Sequence, residues 1–333
     1  MRKNEKRNLR LTLPKVLATG ELVTLLTSMS PASVYASGGT VGGREMRLSD
    51  GEYTYNVNSS SPYPGVTIDN NKISYDLPGI NSKSISAYKA LNVYVNGSAL
   101  RQRALLINST VYLPARAFFE ALGVKVTYSS STKTLTARAS GFEFSASDGG
   151  FVTYANARPL FSFGKSIIMS VGRMYIPATA LTKATGTSFN KGRDSVTVTG
   201  RLAPLLSADR YYQSDEVFWL ARIITAEARG ESLLGQIAVG NVIMNRVASR
   251  QYPSTIYGVI FDRKWGVQFS PVLDGSIYNT PTYTATLAAQ ICLEGVKLSE
   301  DAMFFLNPVT AESNWIVRSR EYLYSIGGHD FYK

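Results

Sequence analysis

Two carboxylates four residues apart, Glu227 and Glu231, are the residues of this 333-residue chain whose type and spacing best suit acid–base chemistry. Around Glu227 the apolar residues Val217, Leu220, Ala221 and Ile224 recur at helical spacing. Glu227 falls three residues after Ile224 and seven after Leu220, so the spacing predicts a carboxylate on the buried stripe of a helix. Desolvation disfavours the charged form. An acid placed there beside a cleft stays protonated at neutral pH, as a general acid for glycosidic cleavage must. The same spacing also fits a core-edge glutamate hydrogen-bonded to the next helix. Gly230 is expected to end the helix, and Glu231 shares a face with Glu227 if the turn persists.

The rest of the reactive inventory is small. The chain has one histidine, His329, and one cysteine, Cys292. No intramolecular disulfide can form, and a zinc hydrolase, which typically takes three protein ligands with histidine prominent among them, would have to rely on carboxylates almost alone. No metal and no cofactor are expected. His329 reads either as an acid–base partner or as a hydrogen-bonded structural residue, and Cys292, within an apolar helical stretch, as a buried small hydrophobe.

The elements that must position these groups fall in the last third of the chain. Helices are predicted over about 215–229, with Ser214 as cap, 232–250 and 282–297, separated by loops dense in aromatics and amides. Gln268, Ser270, Asn307 and Tyr324 have the polar groups a sugar site uses, and Phe269 and Trp265 have rings that could stack on pyranose faces or pack in the core. Asn241 and Asn245, one turn apart, are expected to brace the acid helix or cap a loop.

The remaining segments differ in character. Residues 1–36 combine six basic residues, a moderately apolar stretch and small residues up to Ala36, which reads as a secretory signal. Residues 37–85, rich in Gly, Ser, Asn and Pro, are expected to be a flexible segment, and residues 201–214 a linker. Between them, residues 86–200 are β-type and repeat themselves. Val111-Tyr112-Leu113-Pro114-Ala115 matches Met174-Tyr175-Ile176-Pro177-Ala178, each followed by a short helix ending at a glycine, Gly123 or Gly186, and then a hairpin. The fold class is therefore α+β: a duplicated β-rich module, then a mainly helical domain over 215–333.

Charge and hydropathy narrow the setting. The whole chain carries a formal +11. Loss of residues 1–36 removes six of 35 basic and two of 24 acidic residues, leaving +7, which suits work beside an anionic polymer such as cell wall. No run of Lys/Arg with interleaved aromatics follows residue 16, so nucleic acid is not an expected partner. No later stretch is long and apolar enough to span a membrane.

Two family resemblances follow from these motifs. Residues 86–200, with their aromatic-aliphatic-Pro turn, short helix and Gly-led hairpin, resemble the copper amine oxidase N-terminal-like domain of secreted bacterial proteins. The segment contains no His or Cys, so no copper site is expected. A binding or positioning module is the reading adopted.

Ala226-Glu227-Ala228-Arg229-Gly230-Glu231 and Gly235-Gln236-Ile237-Ala238-Val239-Gly240-Asn241-Val242-Ile243-Met244-Asn245-Arg246 begin the second pattern. With Gln268-Phe269-Ser270-Pro271, Phe305-Leu306-Asn307-Pro308 and Gly327-Gly328-His329-Asp330-Phe331, they resemble the spore-cortex-lytic (SleB-type) cell wall hydrolases. The resemblance implies a lysozyme- or lytic-transglycosylase-like fold, peptidoglycan as substrate, and Glu227 as catalytic acid at the bond from N-acetylmuramic acid to N-acetylglucosamine. Glu231, Gln268, Phe269, Ser270, Asn307, Tyr324 and His329 are its expected supporting or substrate-binding residues. A paired-carboxylate glycosidase needs a second acid. None has an equally clear signature, and that gap fits a lytic transglycosylase. With the signal over residues 1–36, secretion to the wall is expected, and the resemblance adds the spore cortex as one setting. The competing readings are an inactive wall-binding protein and an amidase that cuts the peptide stem.

Overall fold

The computed structural model describes residues 88–107, 109–162, 167–169, 172–264, 266–311 and 315–333. It also gives the backbone of five short strands between Thr40 and Tyr75. The expected signal over 1–36 and the stacking candidate Trp265 lie outside the described residues.

The β-rich part runs β1 (Lys89–Val95), β2 (Ala104–Ile107), β3 (Thr110–Pro114), α1 (Ala115–Ala121), β4 (Lys125–Ser129), β5 (Thr134–Ala139), β6 (Phe142–Ser147), β7 (Val152–Ala155), β8 (Arg158–Phe161), β9 (Ile167–Met169), β10 (Arg173–Pro177), α2 (Ala178–Thr185), β11 (Ser188–Lys191) and β12 (Ser195–Thr199). The two sequence repeats become two copies of strand, helix and hairpin, and their strands β3 and β10 lie antiparallel with Leu113 opposite Ile176. Each helix starts after the proline and stops at a glycine with positive φ, 74° at Gly123 and 66° at Gly186.

The copies then diverge. The second hairpin, β11–β12, joins the large sheet through parallel pairing of β12 with β1, whereas the first, β4–β5, opens a separate five-stranded meander ending in β7 and β8. Phe118, Phe119 and Phe144 are fully buried at the centre of this half.

The helical part comprises α3 (Ala208–Tyr211), α4 (Ser214–Ala228), α5 (Leu233–Ala248), α6 (Ile256–Ile260), α7 (Pro271–Asp274), a 3-10 turn at Ser276–Tyr278, α8 (Tyr283–Leu293), β13 (Phe304–Leu306), α9 (Trp315–Ser319), β14 (Tyr322–Ile326) and β15 (His329–Tyr332). The cap of α4 is Gln213 rather than Ser214. Helix α8 ends four residues before the predicted stop, because Gly295 at φ 85° turns the chain away. Helices α4, α5 and α8 pack on one another around Ile224, Ile237 and Cys292. A Cβ at Gly240 would come within 2.7 Å of Cys292 Sγ and 2.9 Å of Ile224 Cδ1, so this close approach requires glycine despite its cost of about 1 kcal/mol in a helix.

The β meander and the helical part share a core. Val152 is buried in the same cluster as Leu220, Ile223 and Ile291, with Tyr154 and Phe161 packed against it. Arg158 on β8 grips Glu294 beyond α8 through two hydrogen bonds, 2.7 Å from Nε and 2.9 Å from Nη2. The connection over 201–214 is a fastened strap rather than a free linker. Asn156 Nδ2 donates to the Leu205 carbonyl at 2.8 Å, the Ala208 amide donates to Asn156 at 3.1 Å, and Tyr212 Oη donates to Glu294 at 2.7 Å.

Candidate active site

Helix α4 forms because its apolar residues Val217, Leu220, Ala221, Ile224 and Ala228 make one continuous buried face, while Asp215 and Glu216 favour its N-terminal turn. Glu227 stands at the edge of that face and is half-buried, reachable from outside. Burial pushes its carboxyl up to about 7; the His329 imidazole pulls it back in part, and the Asp274 carboxylate adds to the rise. At neutral pH a large fraction of Glu227 therefore carries a proton.

Glu231 follows the end of α4, its amide still donating to Ala228 at 2.9 Å. Its partners lie in the β14–β15 turn. The Gly328 amide donates to both carboxylate oxygens, at 3.3 and 3.2 Å, and His329 Nδ1 stands 3.6 Å from Oε1, too long for a hydrogen bond. The facing imidazole, helped by the Gly328 amide and opposed by burial, holds the Glu231 carboxyl below its ordinary value. The two acids of the sequence pair are thus pushed apart, one toward the protonated and one toward the ionised form.

The turn that Glu231 grips depends on Gly327, whose φ is 57° and whose Cβ, if present, would overlap the Glu231 carboxylate. Gly327→Ala is expected to cost at least about 2 kcal/mol, from left-handed strain plus displacement of Glu231. Urea denaturation checks this against Gly141→Ala, a positive-φ position with open space around it, which should cost only the backbone part, about 1 kcal/mol.

The other sequence candidates separate on inspection. Asn307 joins the group: its Oδ1 accepts from the Val309 amide at 2.9 Å, and its Nδ2 lies beside Gly328. Gln268 is tied down by scaffold contacts, its Oε1 accepting from Arg246 at 3.4 Å and its Nε2 donating to the Gly266 carbonyl at 3.0 Å. Ser270 is exposed at the start of α7.

Phe269 and Tyr324, expected near the sugar, are in the core at 4% and 2% exposure. Phe269 packs on Phe305 and beneath Arg246. Tyr324 stacks on Phe331, and burial pushes its hydroxyl far above the ordinary range. Asn241 and Asn245 cap a loop, donating to the carbonyls of Val296, Ser299 and Ala302. Asp274, which no sequence pattern marked, is brought into the electrostatic field of Glu227 by the short helix α7 and is held by the Ser276 amide at 2.8 Å.

Comparison with known proteins matches these two regions. Residues 230–332 match the family model for cell wall hydrolase, beginning three residues after Glu227, and residues 94–199 match that for the copper amine oxidase N-terminal domain. A spore cortex-lytic enzyme of Bacillus cereus is 36% identical over 167 residues, 48% of this chain and 63% of that protein; one of Bacillus subtilis is 38% identical over 120 residues, 36% of this chain and 38% of that protein. The chain thus spans less than two thirds of the length of these curated relatives. The solved catalytic domain of the germination-specific lytic transglycosylase SleB from Bacillus anthracis is 39% identical, covering 37% of this chain and 97% of that one, with a TM-score of 0.34. The segment 94–199 has no His or Cys, so the donors a copper site prefers are missing despite its family's name. The chain therefore carries a cell wall hydrolase domain over residues 230–332, similar in sequence to spore cortex-lytic enzymes, and a copper amine oxidase N-terminal domain over residues 94–199.

Proposed function

We propose that this chain cleaves peptidoglycan glycan strands between N-acetylmuramic acid and N-acetylglucosamine, as a lytic transglycosylase with Glu227 as its acid–base residue. The observation that carries the reading is the half-buried Glu227 carboxyl, pushed up to about 7 and placed at an accessible helix edge in the field of His329. Glu227 gives its proton to the glycosidic oxygen as the C1–O bond breaks. The resulting carboxylate then accepts the proton of the muramoyl C6 hydroxyl while that oxygen bonds to C1, leaving a 1,6-anhydro end. Each proton is accounted for without water.

Glu231 and Asn307 act as positioning residues, fixing the turn that holds His329 beside the acid. The homologues' names support spore cortex as the substrate, and the basic, then apolar, sequence of residues 1–36 supports export to the wall.

Mass spectrometry of digestion products tests the chemistry. Anhydro-muramoyl ends support it, reducing ends would replace the internal hydroxyl by water, and freed stem peptides would overturn the glycosidic reading in favour of an amidase. The pH profile supplies a second check. Because the acid works protonated, kcat/KM should hold on the acid side of about pH 7 and fall about tenfold per unit above it. A rate that rises through that range would show the carboxylate form to be the working one.

A further inference from the structure

Three of the exposed aromatics of the helical part, Phe218, Tyr257 and Tyr278, are gathered around one residue. Trp219 on α4 meets Phe218 at 5.0 Å, Tyr257 and Phe261 of α6 at 5.2 Å each, and Tyr278 of the 3-10 turn at 6.3 Å between ring centroids. Tyr257 is 53% exposed, Tyr278 62% and Phe218 37%. A contiguous aromatic patch left open to water is a feature that calls for an occupant.

The patch is also built rather than incidental. Arg222 lies over the Phe218 ring at 4.2 Å, and its Nη1 donates to the carbonyls of Ile277 and Asn279 at 3.3 and 2.8 Å. That grip pins the turn carrying Tyr278 against α4.

Its position identifies the occupant. Phe218, Arg222 and Ala226 follow one another at intervals of four on α4, each at least partly open to solvent, and this side of the helix ends beside Glu227. The eight residues from Trp219 to Glu227 rise about 12 Å along the axis, roughly two sugar units. Asp274 lies in the field of Glu227, and Tyr278, four residues further on, packs against Trp219.

We propose that this platform is a binding site for the glycan strand, taking the apolar faces of pyranose rings about two units from the bond at Glu227. The proposal rests on the reading of Glu227 as the acid. A linear polymer cut at Glu227 must continue along the protein, and α4 offers it a path over rings. Sugar rings carry C–H groups on their faces and hydroxyls at their edges, so a ring face covered by an aromatic loses water only from apolar surface.

The test measures binding apart from cleavage. The full chain carrying Glu227→Gln is titrated with β-1,4-linked N-acetylglucosamine dimers and hexamers, which present the same pyranose faces without a muramoyl bond. Tyr257→Ala and Tyr278→Ala are each expected to weaken hexamer binding about tenfold and to leave the dimer, too short to span the interval, without this loss. Tyr257→Phe, which keeps the ring, should bind as the parent does. Hexamer affinity unchanged in both alanine variants overturns the proposal. So does a concentration-dependent self-association that the alanine variants abolish without touching sugar affinity, which would assign the patch to a second copy. Failure of the acid assignment appears elsewhere, as wall digestion by Glu227→Gln.

Discussion

Glu227→Gln is expected to lower the rate of glycan cleavage by about 10²- to 10⁴-fold, the usual contribution of a positioned general acid, while the fold is retained. The amide matches the acid in shape but can neither give a proton to the leaving oxygen nor take one from the attacking hydroxyl. A second consequence separates this residue from an ordinary core-edge glutamate. Its carboxyl is raised from 4.5 to about 7, so between those values the folded chain holds a proton that the unfolded chain has released. The stability associated with the protonated form is fully present below about pH 4.5 and is lost as pH rises through about 7. Gln carries no such penalty, so the variant should exceed the parent in stability at pH 8 by about 1–3 kcal/mol and match it near pH 4. Thermal unfolding at the two pH values reads the difference. An inactive variant with higher stability at pH 8 marks a group held in its site against its own solvation; an active variant shows the acid to be misassigned.

What the sequence disclosed and what it concealed divide along physical lines. Glu227 was legible because a helix converts spacing directly into a face, and the repeats were legible because proline and glycine mark where each short helix starts and stops. The partner of Glu231 was not. Gly328 lies 97 residues away in the chain, beyond the reach of any local pattern. Tyr324 was chosen by residue type, yet β14 slips its register between Tyr322 and Tyr324, and the ring turns inward onto Phe331. Trp219 drew no notice because an aromatic in an amphipathic helix reads as core. Only the arrival of Tyr257 and Tyr278 from two other elements makes it the centre of a surface. The strap over 201–214 has the composition of a linker, and its anchors, Asn156 and Glu294, sit far off in the chain.

Arg158→Ala is expected to be the most destabilising single truncation at the junction of the β meander with the helical part. Glu294 has a side chain with no exposure, and it is met by groups from three directions. Arg158 donates twice, Tyr212 Oη donates at 2.7 Å, and Lys183 Nζ lies 3.0 Å from Oε2 while donating to the Glu294 carbonyl at 2.7 Å. Burial works against the charge, but Arg158, Tyr212 and Lys183 outweigh it, and the carboxyl is held below its ordinary value. The Arg158 guanidinium also covers the Tyr211 ring at 3.3 Å, so the strap loses a packing partner as well.

Removing Arg158 leaves a buried carboxylate short of its main partner, which costs about 3–5 kcal/mol and lowers Tm by roughly 10 °C. The sign with pH follows from the depressed carboxyl: its contribution is present above about pH 4.5 and is lost as pH falls below that. The parent should therefore lose more stability on acidification than the variant does. Replacing both partners by apolar residues, Arg158→Met with Glu294→Leu, should recover much of the loss, because no charge is then stranded. A cost under about 1 kcal/mol for Arg158→Ala would mean the two halves are merely tethered. A large cost ties them into one body through α8, the helix that packs against α4 and so backs the acid itself.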